Sequence, residues 1–276
     1  MKDYDDETLS KLHQIQLEIL NEFVRICDKY NFSYSLVGGT LLGAIRHSGF
    51  IPWDDDIDVA LPREEYNKFI KIAKEELSDK YFLDCFEYNK DYYLPFAKIK
   101  KNNTIFDEEF SHNINNHKGI FIDIFPIENI SNKKTGFLRA FIVKNIIDTV
   151  FYKLKIRNIK NTNHPMIVRI LSVFTKKRLM EIQNFFLNVN KNNNSKYLAV
   201  LSGYGFNKEL MERGNYFPTS IVTFEKNKYK SMNNYDKYLS NLYGDYMKLP
   251  PKEKRRNHMP LKLQFEIKKE EYDKLN

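Results

Sequence analysis

Four aspartates lie close together in the stretch IPWDDDIDVALP, at Asp54, Asp55, Asp56 and Asp58. If this stretch is an extended strand, Asp56 and Asp58 project from the same face, because strand side chains alternate with a period of two. Paired carboxylates suit hard divalent cations such as Mg²⁺, and two-metal sites of this kind support phosphoryl transfer. The spacing therefore favours a metal-assisted reaction of a phosphate, while a solvated acidic turn explains the run equally well when it is taken alone.

A calcium-binding loop is a further interpretation of the same aspartates. Counted from Asp54, acidic residues occupy positions 1, 3 and 5, and Glu65 falls at position 12. Such a loop needs glycine at position 6 for its sharp turn, and this chain has Val59 there, with Pro62 at position 9. A calcium loop is therefore disfavoured.

Two adjacent glycines, Gly38 and Gly39, precede the aspartates in the stretch LVGGTLLG, and Thr40 follows them. Glycines let the backbone approach a bound phosphate closely, and a helix that begins at Thr40 offers it N–H groups and a hydroxyl. A glycine pair is common wherever a strand turns into a helix. Its position before the acidic pair makes a phosphate site the favoured interpretation.

A lone carboxylate, Asp123, stands in the apolar run GIFIDIFPI, which is typical of a buried strand. An unpaired ionised carboxylate is very costly to bury, so Asp123 must have a partner, carry a proton or bind metal. An ion pair with a lysine is the simpler explanation of this residue alone. Beside the acidic pair, metal binding is favoured.

The elements that position these residues follow from the spacing of apolar side chains. Residues 5–30 repeat apolar side chains at intervals of three and four, which predicts an amphipathic helix. A strand over 32–39 leads into a helix over 40–47, and a strand over 56–61 ends at Pro62 before a helix over 63–77. Further strands are predicted around 81–86, 94–100, 119–125 and 217–225, with helices over 137–155, 165–188 and 234–251. The fold class is α/β.

The positive charge of the chain is concentrated in one segment. The net charge is +8, and residues 131–180 contain twelve Lys and Arg against the single acid Asp148. Apolar residues interleave with these bases, which fits a helix lying on an anionic membrane surface or a docking surface for a lipid-linked glycan. An ordinary solvated basic face fits the pattern equally well.

Composition excludes several classes of protein. Cys27 and Cys85 are too few for a disulfide framework and have no metal-binding spacing, and the six histidines have no zinc spacing. We therefore expect surface or structural roles for His47, His112, His117 and His258. The chain lacks a signal-like start and any long apolar run, so we expect a cytoplasmic protein, associated peripherally with the inner face of the membrane if the basic segment binds lipid.

Three stretches resemble one family. LVGGTLLGAIRHSGFIPWDDDIDVALPREEYNKF, KGIFIDIFPIEN and YLSNLYGDYMKLPPKEKRRNH are similar to the motifs of the LicD family of phosphotransferases, a branch of the nucleotidyltransferase superfamily that includes the fukutin-related proteins. Residues 131–200 match no motif. The resemblance divides one domain into a catalytic core with an N-terminal helix at 1–130, a basic helical insertion at 131–200 and a C-terminal part at 201–276.

The resemblance implies a nucleotidyltransferase-like mixed β-sheet flanked by helices and a transfer that depends on Mg²⁺, or on Mn²⁺ in its place. A phosphorylated alcohol such as phosphocholine would pass from a CDP-alcohol to a sugar hydroxyl of a surface glycan (lipopolysaccharide, teichoic acid or capsule) or of its lipid-linked form, with release of CMP. Two alternatives stay open: a strict nucleotidyltransferase acting on a small-molecule hydroxyl, and a non-catalytic nucleic-acid or membrane-binding module. No nucleic-acid partner is expected of the LicD-type enzyme.

The resemblance also implies roles for individual residues. The metal ligands and catalytic carboxylates would be Asp56, Asp58 and Asp123. The phosphate-facing turn would comprise Gly38, Gly39 and Thr40, and the further donor contacts would be Arg46, Trp53 and Lys98. Asp54 and Asp55 are expected to shape the turn before the strand.

Overall fold

The computed structural model describes residues 4–114, 116–190 and 194–267 as a mixed α/β fold. Its helices are α1 (Asp6–Lys29), α2 (Gly38–His47), α3 (Arg63–Glu76), α4 (Lys133–Lys153), α5 (Pro165–Leu171), α6 (Lys176–Asn188), α7 (Phe206–Glu209), α8 (Arg213–Tyr216) and α9 (Tyr235–Tyr243). Its strands are β1 (Ser35–Leu36), β2 (Asp58–Pro62), β3 (Tyr81–Asp84), β4 (Ala97–Lys101), β5 (Ile105–Asp107), β6 (Phe121–Ile130), β7 (Tyr197–Ala199), β8 (Met211–Glu212), β9 (Ser220–Phe224), β10 (Asn227–Ser231) and β11 (Lys262–Gln264).

The main sheet is mixed, as the resemblance implies. Its strand order is β3-β4-β6-β2-β1-β10-β9, with β2 parallel to β6 and β1 parallel to β10. The other neighbours along this path are antiparallel. Strand β6 continues past this region to pair with β7, which pairs with β8, and a separate ribbon joins β5 to β11. The long strand β6 therefore connects the centre of the sheet to the residues that follow the basic segment.

Helix α1 confirms the predicted helix over 5–30. It begins with Asp5, whose side chain accepts a hydrogen bond from the Thr8 N–H, and two acidic residues follow in its first turn. Its apolar face, which includes Phe23, is buried against the sheet and α3. On the central strand, Ile57, Val59 and Leu61 are fully buried. This packing fixes β2 and the loop before it.

The helices predicted over 165–188 and 234–251 are wrong in detail, and the second of them ends as α9 at Tyr243. The helix predicted over 165–188 is divided into α5 and α6, because Thr175 caps a new helix by accepting a hydrogen bond from the Arg178 N–H. The strand predicted around 217–225 is the first half of a hairpin, β9–β10. Its turn places Glu225 and Lys226 at φ of 47° and 69°, a backbone conformation usually marked by Gly or Asn.

The basic segment is largely helical, as predicted. Helix α4 packs against both α5 and α6, and Arg139 of α4 donates hydrogen bonds to the carbonyl oxygens of Asn129, Phe186 and Leu187. In the described part of the chain, no helix combines the length and apolarity needed to cross a bilayer.

Candidate functional site

Three of the predicted site residues form a single row across the sheet. Asp58 of β2 lies opposite Asp123 of β6, and Lys98 of β4 lies opposite Asp123 from the other side. Residues that are directly opposite on neighbouring strands project from the same face. The Lys98 Nζ lies 3.1 Å from the Asp123 Oδ1, so this half-buried aspartate has a lysine partner.

Asp56 lies just outside this row. Strand β2 begins at Asp58, so the prediction of a strand over 56–61 is wrong for its first two residues. The alternation nevertheless holds, because Ile57 and Val59 are fully buried while Asp56 and Asp58 are partly exposed. Asp56 therefore approaches Asp58 and Asp123 from the loop before the strand.

Burial and like charge perturb the carboxylates. Burial, followed by the charges of Asp56 and Asp123, raises the pKa of Asp58 well above its usual range. Burial also raises the pKa of Asp56 to about 6, with His258 and Lys98 acting in the opposite direction. For Asp123, burial again outweighs Lys98 and raises the pKa. The protein alone thus disfavours the ionised forms of these three carboxylates, and a bound cation would favour them.

This donor set fits a hard divalent cation in its chemistry, because all three candidate ligands are carboxylates crowded on one face. Within 4–114, 116–190 and 194–267, however, no three His, Cys, Asp or Glu side chains are already grouped around a common point. The nearest positive groups are Lys98, beside Asp123, and His258, whose Nδ1 lies 3.5 Å from the Asp56 Oδ2. A cation would require the carboxylates to turn towards it.

The two glycines belong to α2, which begins at Gly38 and not at Thr40 as predicted. Gly38 has a φ of +54°, and a Cβ there would lie 2.6 Å from the Asp58 Oδ2. A Cβ on Gly39 would lie 2.6 Å from the Asp54 Oδ2. Gly38 is favoured by its positive φ as well as by the close approach of Asp58, whereas at Gly39 a Cβ would meet only the end of the Asp54 side chain.

Thr40 positions the acidic strand. Its Oγ1 accepts a 2.8 Å hydrogen bond from the Asp58 N–H, and the Val37 N–H donates to the Asp58 carbonyl oxygen. Asp58 is therefore held at both backbone groups by the residues around the glycine pair. Tyr238 of α9 also reaches this turn, where its hydroxyl accepts a 3.3 Å hydrogen bond from the Gly38 N–H.

Asp55 anchors the turn before the strand. Its carboxylate is buried and accepts hydrogen bonds from the Tyr4 hydroxyl and from the His258 N–H. The carbonyl oxygens of Asp54 and Asp55 contact two side chains of α1, His13 and Gln16. Asp55 thus joins the N-terminal helix, the turn and a C-terminal segment, as expected of a residue that shapes this turn.

His258, for which the sequence predicted only a surface or structural role, lies at the site. Its Nδ1 lies 3.1 Å from the Asp55 Oδ1, and this hydrogen bond is the main reason that its pKa is raised to about 10. The sequence did contain one indication of a role at the site, because His258 is the last residue of the third family-like stretch, which ends in KEKRRNH. Three of the other histidines have local partners: His47 with Arg46, His112 with Asp107, and His117 with Asn102.

Arg46 and Trp53 lie near the end of α2 with partners of their own. The Arg46 guanidinium donates hydrogen bonds to the Tyr246 carbonyl oxygen and to the His47 ring. The Arg255 guanidinium lies 4.2 Å from the centroid of the Trp53 ring. Their roles as donor contacts stay predictions.

A cavity of about 450 Å³ opens beside the row of charged residues. Its polar wall includes Asp56, Lys98 and Asp123. The remaining lining is mostly aromatic and aliphatic, with Leu94, Phe96, Phe106, Phe110, Phe121, Phe151 and Ile156. The site therefore has room for a ligand with a charged end and an apolar end.

Comparison with known proteins agrees with this geometry. The sequence model described as LicD/FKTN/FKRP, nucleotidyltransferase domain, matches residues 31–161, which include the glycine pair and the row of aspartates. The lipopolysaccharide cholinephosphotransferase LicD of Haemophilus influenzae is 34% identical over 261 residues, which cover 91% of this chain and 96% of that protein. The chain belongs to the LicD family. It is a LicD-type phosphotransferase.

Two further relatives are similar over shorter stretches. An uncharacterized protein of Rickettsia typhi is 38% identical over 55 residues, which cover 20% of this chain and 18% of that protein. One of Rickettsia prowazekii is 40% identical over 48 residues, covering 17% and 18%. The Haemophilus LicD alignment also spans most of residues 131–200, where no family motif was found in the sequence.

Proposed function

We propose that this LicD-type enzyme transfers phosphocholine from CDP-choline to a sugar hydroxyl of a lipopolysaccharide-like glycan and releases CMP. The observation that carries the proposal is the row of Asp58, Asp123 and Lys98 beside the glycine turn that opens α2. The Haemophilus relative, which spans almost the whole chain, bears the name of a cholinephosphotransferase.

Asp56, Asp58 and Asp123 would hold Mg²⁺, with Mn²⁺ as a substitute. When bound, the metal neutralises charge on the diphosphate and on the leaving CMP. Phosphoryl transfer needs charge neutralisation and in-line positioning more than covalent help from the protein.

The chain's own groups complete the proposed mechanism. Lys98 donates to a phosphate oxygen from its position beside Asp123, and the first turn of α2 offers backbone N–H groups. An aspartate of the row accepts the proton of the acceptor hydroxyl as the new bond to phosphorus forms. Arg46 and Trp53 contact the nucleotide of the donor. Each group binds or orients the substrate.

We also propose that the enzyme meets a lipid-linked acceptor at the inner, anionic face of the membrane. The basic segment carries large apolar side chains that are exposed to solvent: Phe137, Leu138, Met166, Ile170, Val173 and Phe174. Exposed apolar residues next to Lys and Arg favour binding to anionic headgroups. A mostly apolar cavity of about 430 Å³ on this segment shares Phe96, Phe151 and Arg157 with the cavity beside the aspartates.

Product analysis with CDP-choline tests the proposed function. A phosphocholine transferase releases CMP and leaves phosphocholine on the glycan. A strict nucleotidyltransferase would leave the nucleoside monophosphate on the acceptor instead. A binding module would form neither product and would be indifferent to Mg²⁺.

A further inference from the structure

The cavity beside the aspartates has an aromatic and acidic end that the proposed mechanism does not use. Glu108 and Phe110 lie there, just after β5. Both also line an adjoining open cavity, together with Ile156 and His258. This end of the cavity is therefore accessible and continuous with the wall that carries Asp56 and Asp123.

Two cations of the protein already lie against aromatic rings in this cavity. The Lys98 Nζ is 3.2 Å from the centroid of the Phe121 ring, and the Arg157 guanidinium is 5.4 Å from that of Phe151. Each cation also has a carboxylate partner, Asp123 and Asp148 respectively. Each of these two cations is thus stabilised by an aromatic ring and a carboxylate together.

Phe110 and Glu108 offer a third ring and a third carboxylate, and the cationic groups that face Glu108 lie closer to other carboxylates. One of them is His258, whose ring is hydrogen-bonded to Asp55. The Phe110 side chain is 40% exposed, and none of the described residues places a Lys or Arg over its ring. The nearest ammonium to Glu108 is the Lys98 Nζ at 3.7 Å, and that group lies closer to Asp123, at 3.1 Å. The Glu108 side chain is only 12% exposed, so water screens its charge weakly.

We propose that Glu108 and Phe110, with Ile156 as an apolar wall, bind the quaternary ammonium of the transferred alcohol. This subsite rests on the proposed function. A trimethylammonium group has no N–H to donate and spreads its charge over methyl groups, so an aromatic face and a carboxylate recognise it well. A polyol needs hydrogen-bonding partners at each hydroxyl, and Phe110 and Ile156 offer none. The subsite selects a cationic alcohol over a neutral one.

The test compares phosphocholine with dimethylbutyl phosphate, in which a neutral carbon replaces the nitrogen. Calorimetry in the presence of Mg²⁺ measures the binding of both ligands to the wild type, to Glu108→Gln and to Phe110→Leu. Glu109→Gln serves as the matched control, because Glu109 is an exposed neighbour that does not line the cavity beside the aspartates. The two ligands have nearly the same shape, so their difference reports recognition of the charge.

We expect the wild type and Glu109→Gln to bind phosphocholine about tenfold more tightly than the neutral compound. Glu108→Gln and Phe110→Leu lose most of this preference, with little change for the neutral ligand. Equal binding of the two ligands by the wild type, binding of neither, or a preference that survives in Glu108→Gln overturns the subsite. CMP release from CDP-choline by the wild type is measured in parallel, so a failed subsite is distinguished from a failed function.

Discussion

Asp58 and Asp123 are 65 positions apart in the sequence and directly opposite each other on the parallel strands β2 and β6. Lys98 occupies the next place in the same row. Burial and the proximity of other carboxylates raise the pKa values of both aspartates, so the packing of the folded protein disfavours their ionised forms. Such an arrangement is typical of a functional site and unfavourable for stability alone.

Asp58→Asn is expected to lower phosphotransfer by at least about a hundredfold, because it removes a charge that the transition state requires. The same change relieves repulsion from Asp56 and Asp123, so the melting temperature without Mg²⁺ is expected to stay equal or to rise. Initial rates at saturating donor and Mg²⁺, together with thermal unfolding, measure the two effects. Turnover at the wild-type rate contradicts the assignment of Asp58 to the site.

Asp55→Ala is expected to act on stability. The change leaves the half-buried Tyr4 hydroxyl and the His258 N–H without their acceptor, which costs roughly 2 kcal/mol of the free energy of unfolding. Urea unfolding measures this loss. Asp58→Asn serves as the comparison, because that variant is expected to keep at least the stability of the wild type. An unfolding midpoint of Asp55→Ala equal to that of the wild type contradicts the anchoring role of Asp55.

Glu128→Gln is expected to destabilise the core. Arg63 of α3 forms a buried ion pair with Glu128 of β6, and removal of one partner from a buried pair costs about 3 to 5 kcal/mol. Glu64→Gln is the control, because Glu64 pairs with Lys68 at the surface and the change costs less than about 1 kcal/mol. Equal midpoints for the two variants in urea contradict the prediction.

Glu209 is expected to make stability depend on pH. Burial raises the pKa of Glu209 from 4.5 to about 7. Between these values the folded chain keeps a proton that the unfolded chain has lost, so stability falls as the pH rises through this window. Glu209→Gln removes the effect. Its free energy of unfolding relative to the wild type is expected to rise by roughly 3 kcal/mol from pH 4 to pH 8. A difference that is constant with pH contradicts the prediction.

Ile170→Glu is expected to weaken binding to anionic liposomes. Ile170 is 64% exposed on α5 in the basic segment, and a carboxylate there opposes both apolar insertion and attraction to the headgroups. Ile221→Glu is the control, because Ile221 is 58% exposed on β9, outside that segment. Flotation at low salt measures binding. Absence of wild-type binding, or equal loss in both variants, contradicts the membrane proposal.

The sequence was sufficient to predict those site residues whose placement depends on the local pattern of apolar side chains. Alternation through Ile57 and Val59 fixed the face on which Asp58 projects, and the apolar run around Asp123 predicted its buried strand. Both follow from the period of a strand, which requires no knowledge of distant residues. The resemblance implied that Asp123 joins Asp56 and Asp58, but the parallel pairing of β2 with β6 was not predicted.

The remaining features depend on tertiary contacts. His258 reaches the site because the chain after α9 returns to Asp55, and no spacing near His258 predicts that path. The β9–β10 hairpin was missed because its turn uses Glu225 and Lys226, which rarely adopt a positive φ. The sequence likewise did not predict that Glu108 and Phe110 line the cavity, since neither residue belongs to a motif.

The most direct measurement is mass spectrometry of a phosphocholine-free lipopolysaccharide after incubation with the protein, CDP-choline and Mg²⁺, alongside quantification of CMP. We predict that phosphocholine is added to the glycan in an amount equal to the CMP released, and that both products vanish with a chelator or with Asp58→Asn. Transfer of the nucleoside monophosphate to the glycan, or full phosphocholine transfer by Asp58→Asn, would contradict the proposed reaction and its site.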